Sequence, residues 1–174
     1  MKTLVVVGHP HLQKSVVNKA WYEYIQGKSN ELNTTVRLLS DHYGDNGFDI
    51  EKEQSVLSEY DRIILQFPLY WYMVPAIMKE WMDRVWCEGW AYGENGDKME
   101  GKLIEVAVST GAPDFVFDAG ISLETYLSFI KGSAGFLRAK SGRLFALYGA
   151  EINMTPERLH KSCEEYAEFI RSEQ

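Results

Sequence analysis

Five short runs of apolar, often β-branched residues recur along this chain, and amphipathic segments separate them. The first, Thr3-Leu4-Val5-Val6-Val7-Gly8, is unbroken and ends at glycine, the pattern of a strand buried on both faces. The others are Thr34-Thr35-Val36-Arg37-Leu38-Leu39, Arg62-Ile63-Ile64-Leu65-Gln66, residues 102–108 and Arg143-Leu144-Phe145-Ala146-Leu147-Tyr148. Between them the period changes from 2 to 3.6. Val17, Trp21, Tyr24 and Ile25 share a helical face within residues 15–26, with Gly27 as the stop. Residues 51–58 read as a short polar helix. Pro75 opens a strong helix whose face is Ile77, Met78, Trp81, Met82 and Val85. Residues 123–137 read as helical in part, interrupted by Gly132, Ser133 and Gly135. Thr155-Pro156 caps a last helix with Leu159, Cys163, Tyr166, Ala167 and Ile170 on one stripe. Residues 41–49, rich in Gly, Asp and Asn, read as loop.

Strands alternating with helices predict an α/β fold, a three-layer sandwich with a five-stranded parallel sheet covered on both faces. The 174 residues contain no linker, composition shift or repeat, so one domain over residues 1–174 is expected. A net charge of −7 lacks the footprint of a general nucleic-acid binder. No apolar run is long enough to span a membrane, and none resembles a leader, so a soluble cytoplasmic protein is expected. Cys87 and Cys163 have no metal or redox spacing and read as buried or half-buried thiols.

In such sheets a ligand sits beyond the carboxyl ends of the strands, at the switch point. For the order 2-1-3-4-5, the segments after the first, third and fourth strands meet there. The first contains His9, His11 and Ser15 before a helix start. Ser15 reads either as a plain helix cap with solvent-facing histidines or as part of a phosphate site at the helix N-terminus. No glycine-rich dinucleotide fingerprint or phosphate loop is present. The second segment brackets Tyr70, Trp71 and Tyr72 between Pro68 and Pro75. Three adjacent rings cannot all be buried easily, so at least one is expected to line the crevice as a flat platform. The third, Ser109-Thr110-Gly111-Ala112-Pro113, permits close backbone approach to a ligand or is a tight turn. Aromatics make up 13% of the chain, and their position in these loops matters more than their number. Gly89-Trp90-Ala91-Tyr92-Gly93 reads as a further pocket wall or as an interface patch.

Gly8-His9-Pro10 with Ser15-x-x-Asn18, Pro68-Leu69-Tyr70-Trp71-Tyr72, the helix from Pro75, Gly89-Trp90-Ala91-Tyr92-Gly93, Gly101-Lys102 and Thr110-Gly111-Ala112-Pro113 occur in this order. Together they resemble the flavodoxin-like NAD(P)H:quinone oxidoreductases. The nearest branch includes modulator-of-drug-activity reductases and ancillary proteins of glutathione-gated potassium efflux antiporters. The resemblance runs from Lys2 to about Ala150. It implies a flavin, FMN with FAD as the alternative, a homodimer, and two-electron reduction of quinones by NAD(P)H. It also implies that His9, Ser15, Val16, Val17 and Asn18 hold the flavin phosphate and ribityl chain. Pro68, Leu69, Tyr70 and Trp71 would line the isoalloxazine, with Trp71 against it, and Thr110, Gly111 and Ala112 would meet its polar edge. A regulatory subunit docked on a potassium efflux antiporter at the inner face of the membrane is the first alternative, and a one-electron flavodoxin-type carrier the second. The Tyr and His that some members carry after the fourth strand are absent. Phe117 stands at the Tyr position, so no acid–base residue is assigned. Residues 129–138 match the family poorly.

Overall fold

The computed structural model describes residues 1–172. The main sheet contains β1 (Thr3–Val7), β2 (Thr34–Leu38), β5 (Arg62–Pro68), β6 (Leu103–Ser109) and β7 (Lys140–Leu147). All pairs are parallel, in the order β2-β1-β5-β6-β7. This is the flavodoxin-like doubly wound arrangement that the alternating pattern predicts.

Alternate side chains of each strand enter opposite cores. Val5, Val7, Ile64 and Ala107 pack under α1 (Val17–Gly27) and α7 (Pro156–Arg171). Leu4, Val6, Ile63, Leu65, Phe67, Val106 and Val108 pack under α2 (Ile50–Ser58), α3 (Ala76–Val85) and α6 (Ser128–Phe136). Trp21 and Trp81 are both fully buried, one in each core. Each satisfies its indole N–H, Trp21 on Ser162 Oγ at 3.1 Å and Trp81 on Glu53 Oε2 at 3.0 Å. Cys163 is buried and Cys87 half-buried, and both are free thiols. Burial pushes the Cys163 thiol up to about 11, which makes it a poor nucleophile. Among the described residues no helix is long and apolar enough to cross a membrane.

The structure departs from the sequence pattern in four places. Residues 41–49 contain a small hairpin, β3 (Tyr43–Gly44) with β4 (Gly47–Phe48), rather than open loop. Tyr43 meets Phe48 edge-on at 4.9 Å and donates its hydroxyl to Glu80, which fastens the hairpin to α3. Gly47 has a φ of +84°, a conformation that side-chain-bearing residues rarely adopt. Second, residues 123–137 are two helices, α5 (Leu123–Tyr126) and α6, separated at Leu127. Gly132, Ser133 and Gly135 lie inside α6, because the buried stripe Ile130 and Ala134 outweighs their poor helix propensity. Third, a short helix α4 (Asp114–Asp118) follows β6.

Fourth, β7 begins at Lys140, ahead of the apolar run, and its register against β6 shifts between Ile104 and Val106. Glu105 at this shift is fully buried, and a Cβ on Gly142 would collide with it, so glycine makes its room. Its carboxylate accepts from buried Arg62 Nε at 2.7 Å and from Arg143 Nε at 2.8 Å. Both guanidinium groups also donate to the Phe169 carbonyl at the end of α7. The C-terminal helix is thereby locked to the middle of the sheet. Removing one partner of a buried pair strands the other charge, at a cost of about 3–5 kcal/mol. Glu105→Gln is therefore expected to lower the urea midpoint strongly, and Glu105→Leu with Arg62→Met should lose less than the single Glu105→Leu change.

Candidate functional site

The loops after β1, β5 and β6 meet at the carboxyl edge of the sheet around one cavity of about 620 Å³. That is within the usual range for small-molecule sites, about 300–1,000 Å³. His9, Ser15, Val16, Val17, Asn18, Pro68, Leu69, Tyr70, Trp71, Thr110, Gly111 and Ala112 all line it. The residues that the resemblance assigns to the flavin thus lie around one cavity.

One end is the start of α1. A 3-10 turn at Leu12–Lys14 leads into it, and Ser15 Oγ accepts from the Asn18 N–H at 3.1 Å. Ser15 therefore acts as the cap, one residue ahead of the formal N-cap Val16. The N–H groups of Val16 and Val17 have no acceptor among the described residues. Free N–H groups at a helix N-terminus attract an anion, and Lys14 lines the same end. His9 is buried rather than solvent-facing. Its Nδ1 accepts from the His11 N–H at 3.0 Å, so a neutral ring carries its proton on Nε2, 3.5 Å from the Tyr70 hydroxyl. Burial, then the nearby His11, pulls His9 below the ordinary histidine range.

The middle wall is a strained turn. Tyr70 and Met73 exchange two backbone hydrogen bonds of 3.0 Å, and between them Trp71 and Tyr72 have φ of 47° and 63°. Two consecutive positive φ values make a type I′ turn, which normally uses Gly or Asn. Non-glycine residues there cost about 1–3 kcal/mol each. Tyr72 is held by stacking on Tyr126, with centroids 4.4 Å apart. Trp71 is 92% exposed and packs on little. The indole held in this strained turn presents a rigid apolar face at the cavity mouth.

The third wall is Thr110-Gly111-Ala112. The Thr110 hydroxyl donates to the Ala112 carbonyl at 2.7 Å. Gly149 N–H and Ala150 N–H donate to the Ala112 and Thr110 carbonyls, both at 2.8 Å. The carbonyls are engaged, whereas the N–H groups of Gly111 and Ala112 have no acceptor among the described residues. Beneath lies a buried polar chain. Gln66 Nε2 donates to the Asn18 carbonyl at 3.1 Å, and Asn18 Nδ2 donates to Ser109 Oγ at 2.9 Å. Gln66 Oε1 and Asn18 Oδ1 are buried without a partner, an arrangement that calls for a hydroxyl-bearing ligand or water.

Sequence reasoning gave no site role to Lys14, Ala150 or Glu151, which also line the cavity. Ser109, read as the first residue of the third segment, is the last residue of β6 and lines the cavity as well. Ala150 and Glu151 follow β7, a loop outside the three that the switch-point rule selects. Trp90 and Tyr92 do not line the cavity. Tyr92 meets Phe136 at 5.0 Å, and Trp90 packs against the larger core. The reason is topological: α3 runs back along the sheet, so the segment after it emerges at the opposite edge.

Residues 1–170 match a family model described as a flavodoxin-like fold. General stress protein 14 of Bacillus subtilis is 39% identical over 98% of each chain. The uncharacterized NAD(P)H oxidoreductase YrkL of the same organism is 36% identical over 99% of each. The potassium-efflux ancillary protein KefF of Klebsiella pneumoniae is 40% identical over 67% of this chain and 64% of its own. A general stress protein 14 from Treponema denticola, solved in complex with FMN, superposes with a TM-score of 0.88 at 30% identity over 98% of both chains. An NADPH-quinone reductase from P.pentosaceus gives 0.86 at 29% identity over the whole of both. A structure described as a tryptophan halogenase from Streptomycin violaceusniger gives 0.91 at 33% identity, over 98% of this chain and 99% of that one.

Two outcomes follow from the geometry. Trp71→Gly relieves a positive φ and loses almost no packing, so thermal unfolding should show a gain of about 1 kcal/mol. Acidification should act through His9. Its folded value lies below its unfolded one, so between the two the unfolded chain binds a proton that the folded chain refuses. Stability must fall as pH drops through the ordinary histidine range, and His42, also lowered by burial, adds to the slope. Urea titrations at stepped pH should show this acid limb, flatter in His9→Gln.

Proposed function

This chain belongs to the flavodoxin-like family whose model spans residues 1–170, and on that premise we propose that it is an FMN-dependent NAD(P)H:quinone oxidoreductase. The observation that carries the reading is the convergence of unpaired N–H groups at two ends of one cavity, with an exposed indole between them. The chemistry of the donor set fits a phosphorylated flavin. Val16 and Val17 N–H, with Lys14, hold the phosphate, and Ser15 keeps the helix start in place. Asn18 and Ser109, which line the cavity, face the hydroxylated chain, and the orphaned Asn18 Oδ1 is an acceptor for it. His9 and Tyr70 form the wall beside it.

FMN supplies the ability to take a hydride from NAD(P)H and deliver it to a quinone. The protein's part is binding and electrostatics. Trp71 covers an aromatic face and excludes water from it. The N–H groups of Gly111 and Ala112 are fixed by the hydrogen bonds of their neighbours, so they offer preorganised positive charge to a developing anion at no further cost. Pro68 and Leu69 supply the apolar wall. No acid–base side chain is assigned, since Phe117 offers no proton. The protein works in the cytoplasm as a homodimer. Exposed apolar side chains, including Trp71, Met73 and Phe115, support a partner surface.

The likeness to KefF favours a second reading, an ancillary subunit of a potassium efflux system with reductase activity secondary. Of the relatives named above, one structure is described as a tryptophan halogenase and the others are not.

Mixing the FMN-loaded protein with NADH or NADPH in a stopped-flow cell should bleach the oxidised flavin absorbance, and a quinone should restore it. Trp71→Ala should weaken FMN binding roughly tenfold, the loss of one aromatic stacking contact. Absence of bleaching by either nucleotide would refute the enzymatic reading.

A further inference from the structure

The cavity is bipolar. Apart from its histidines, Lys14 and Glu151 are the charged side chains that line it. Lys14 precedes α1 in the segment that follows β1, and Glu151 lies in the loop that follows β7. β5 and β6 separate those two strands, so the loops leave the sheet about 14 Å apart. The helix start is the positive end, and the negative end lies beside Gly111.

Glu151 is held there by its own loop. The N–H groups of Gly149 and Ala150 bind the carbonyls of Ala112 and Thr110. Arg158, the third residue of α7, donates to the carbonyls of Gly149 at 3.2 Å and Ile152 at 2.8 Å, and also to that of Tyr148. These bonds bracket residue 151 on both sides. A Cβ on Gly111 would lie 3.2–3.5 Å from the Glu151 carboxyl atoms. The Gly111 nitrogen is two bonds from that point, so the carboxyl group lies within about 6 Å of this unpaired N–H. Arg158 directs its donors at carbonyls, and Glu151 enters no ion pair among the described residues. A carboxylate without a counter-ion therefore stands beside the N–H groups of Gly111 and Ala112.

Hydride transfer adds two electrons and one proton to a neutral flavin ring, which leaves the ring with one negative charge. The Gly111 and Ala112 N–H groups favour that charge, and Glu151 opposes it. Resting on the flavin reading above, we propose that Glu151 tunes the reduction potential of the bound flavin. It lowers the potential, so that the reduced flavin is the stronger donor to an acceptor. Across about 6–9 Å of a partly solvated site, one unit of charge changes the affinity for reduced relative to oxidised flavin by roughly two- to tenfold.

The test uses the full-length protein loaded with FMN. The midpoint potential of the bound flavin is read by equilibration with a reference dye, and the Kd of oxidised FMN by quenching of its fluorescence. Glu151→Gln should favour reduced over oxidised FMN at least twofold and Glu151→Lys at least fourfold. At about 30 mV per tenfold for a two-electron couple, these are rises of at least about 9 and 18 mV. Glu151→Asp keeps the charge and should stay closer to the wild type than Glu151→Gln does. Glu164→Gln removes the same charge from the exposed side of α7 and should leave the potential where it was. A potential that falls, or that rises by less than the twofold equivalent in Glu151→Lys, overturns the inference. So does a rise in Glu164→Gln equal to that in Glu151→Gln. If the wild type binds no FMN, the functional reading itself falls, which is distinct from an unmoved potential.

Discussion

Parallel pairing governs everything else in this molecule. Because β1, β2, β5, β6 and β7 all run the same way, each strand must deliver its chain to one edge of the sheet and recover it from the other. Helices return the chain, so both faces are covered and the inner strands β1, β5 and β6 are buried along their whole length. The edge where strands end then collects backbone that has left one ladder and has not yet entered a helix. Its N–H groups lack partners for that reason alone. The unpaired groups at Val16, Val17, Gly111 and Ala112 are consequences of topology before they are binding features.

Two local devices exploit that edge. One is steric: the turn at Trp71 and Tyr72 holds two aromatic residues at positive φ, and the surrounding prolines and the Tyr72–Tyr126 stack sustain it. The other is electrostatic. Glu105 holds Arg62 on the central strand β5 and Arg143 on the edge strand β7, and both arginines grip the end of α7. Arg158 at the start of the same helix grips the loop that carries Glu151. The last helix is thus fastened at both ends, and its N-terminal fastening shapes the cavity.

How much of this was legible in the sequence depends on the range of the interactions. The five strands follow from period and composition, which are local signals, whereas the sheet order is that of the flavodoxin-like arrangement and is not a local signal. The site residues on the loops after β1, β5 and β6 follow from topology once the strands are known. Four features were hidden. The β3–β4 hairpin depends on Tyr43 reaching Glu80, a contact between residues far apart in the chain. The continuity of α6 through Gly132 and Gly135 depends on burial of Ile130 and Ala134, which outweighs propensity. The exclusion of Trp90 and Tyr92 from the cavity depends on which edge α3 returns to, and an aromatic cluster read along the chain contains no such information. The presence of Glu151 at the cavity was not legible because it arrives there beside Gly111, a neighbour in space, and not through any motif.

The central claim is that the carboxyl edge of this sheet holds a phosphorylated flavin. The most direct measurement is the absorbance spectrum of the purified protein together with the mass of whatever is released on denaturation. The account predicts a yellow protein with the oxidised-flavin spectrum, releasing FMN in a ratio near one per chain. A colourless protein that gains no flavin spectrum when FMN is added would contradict it.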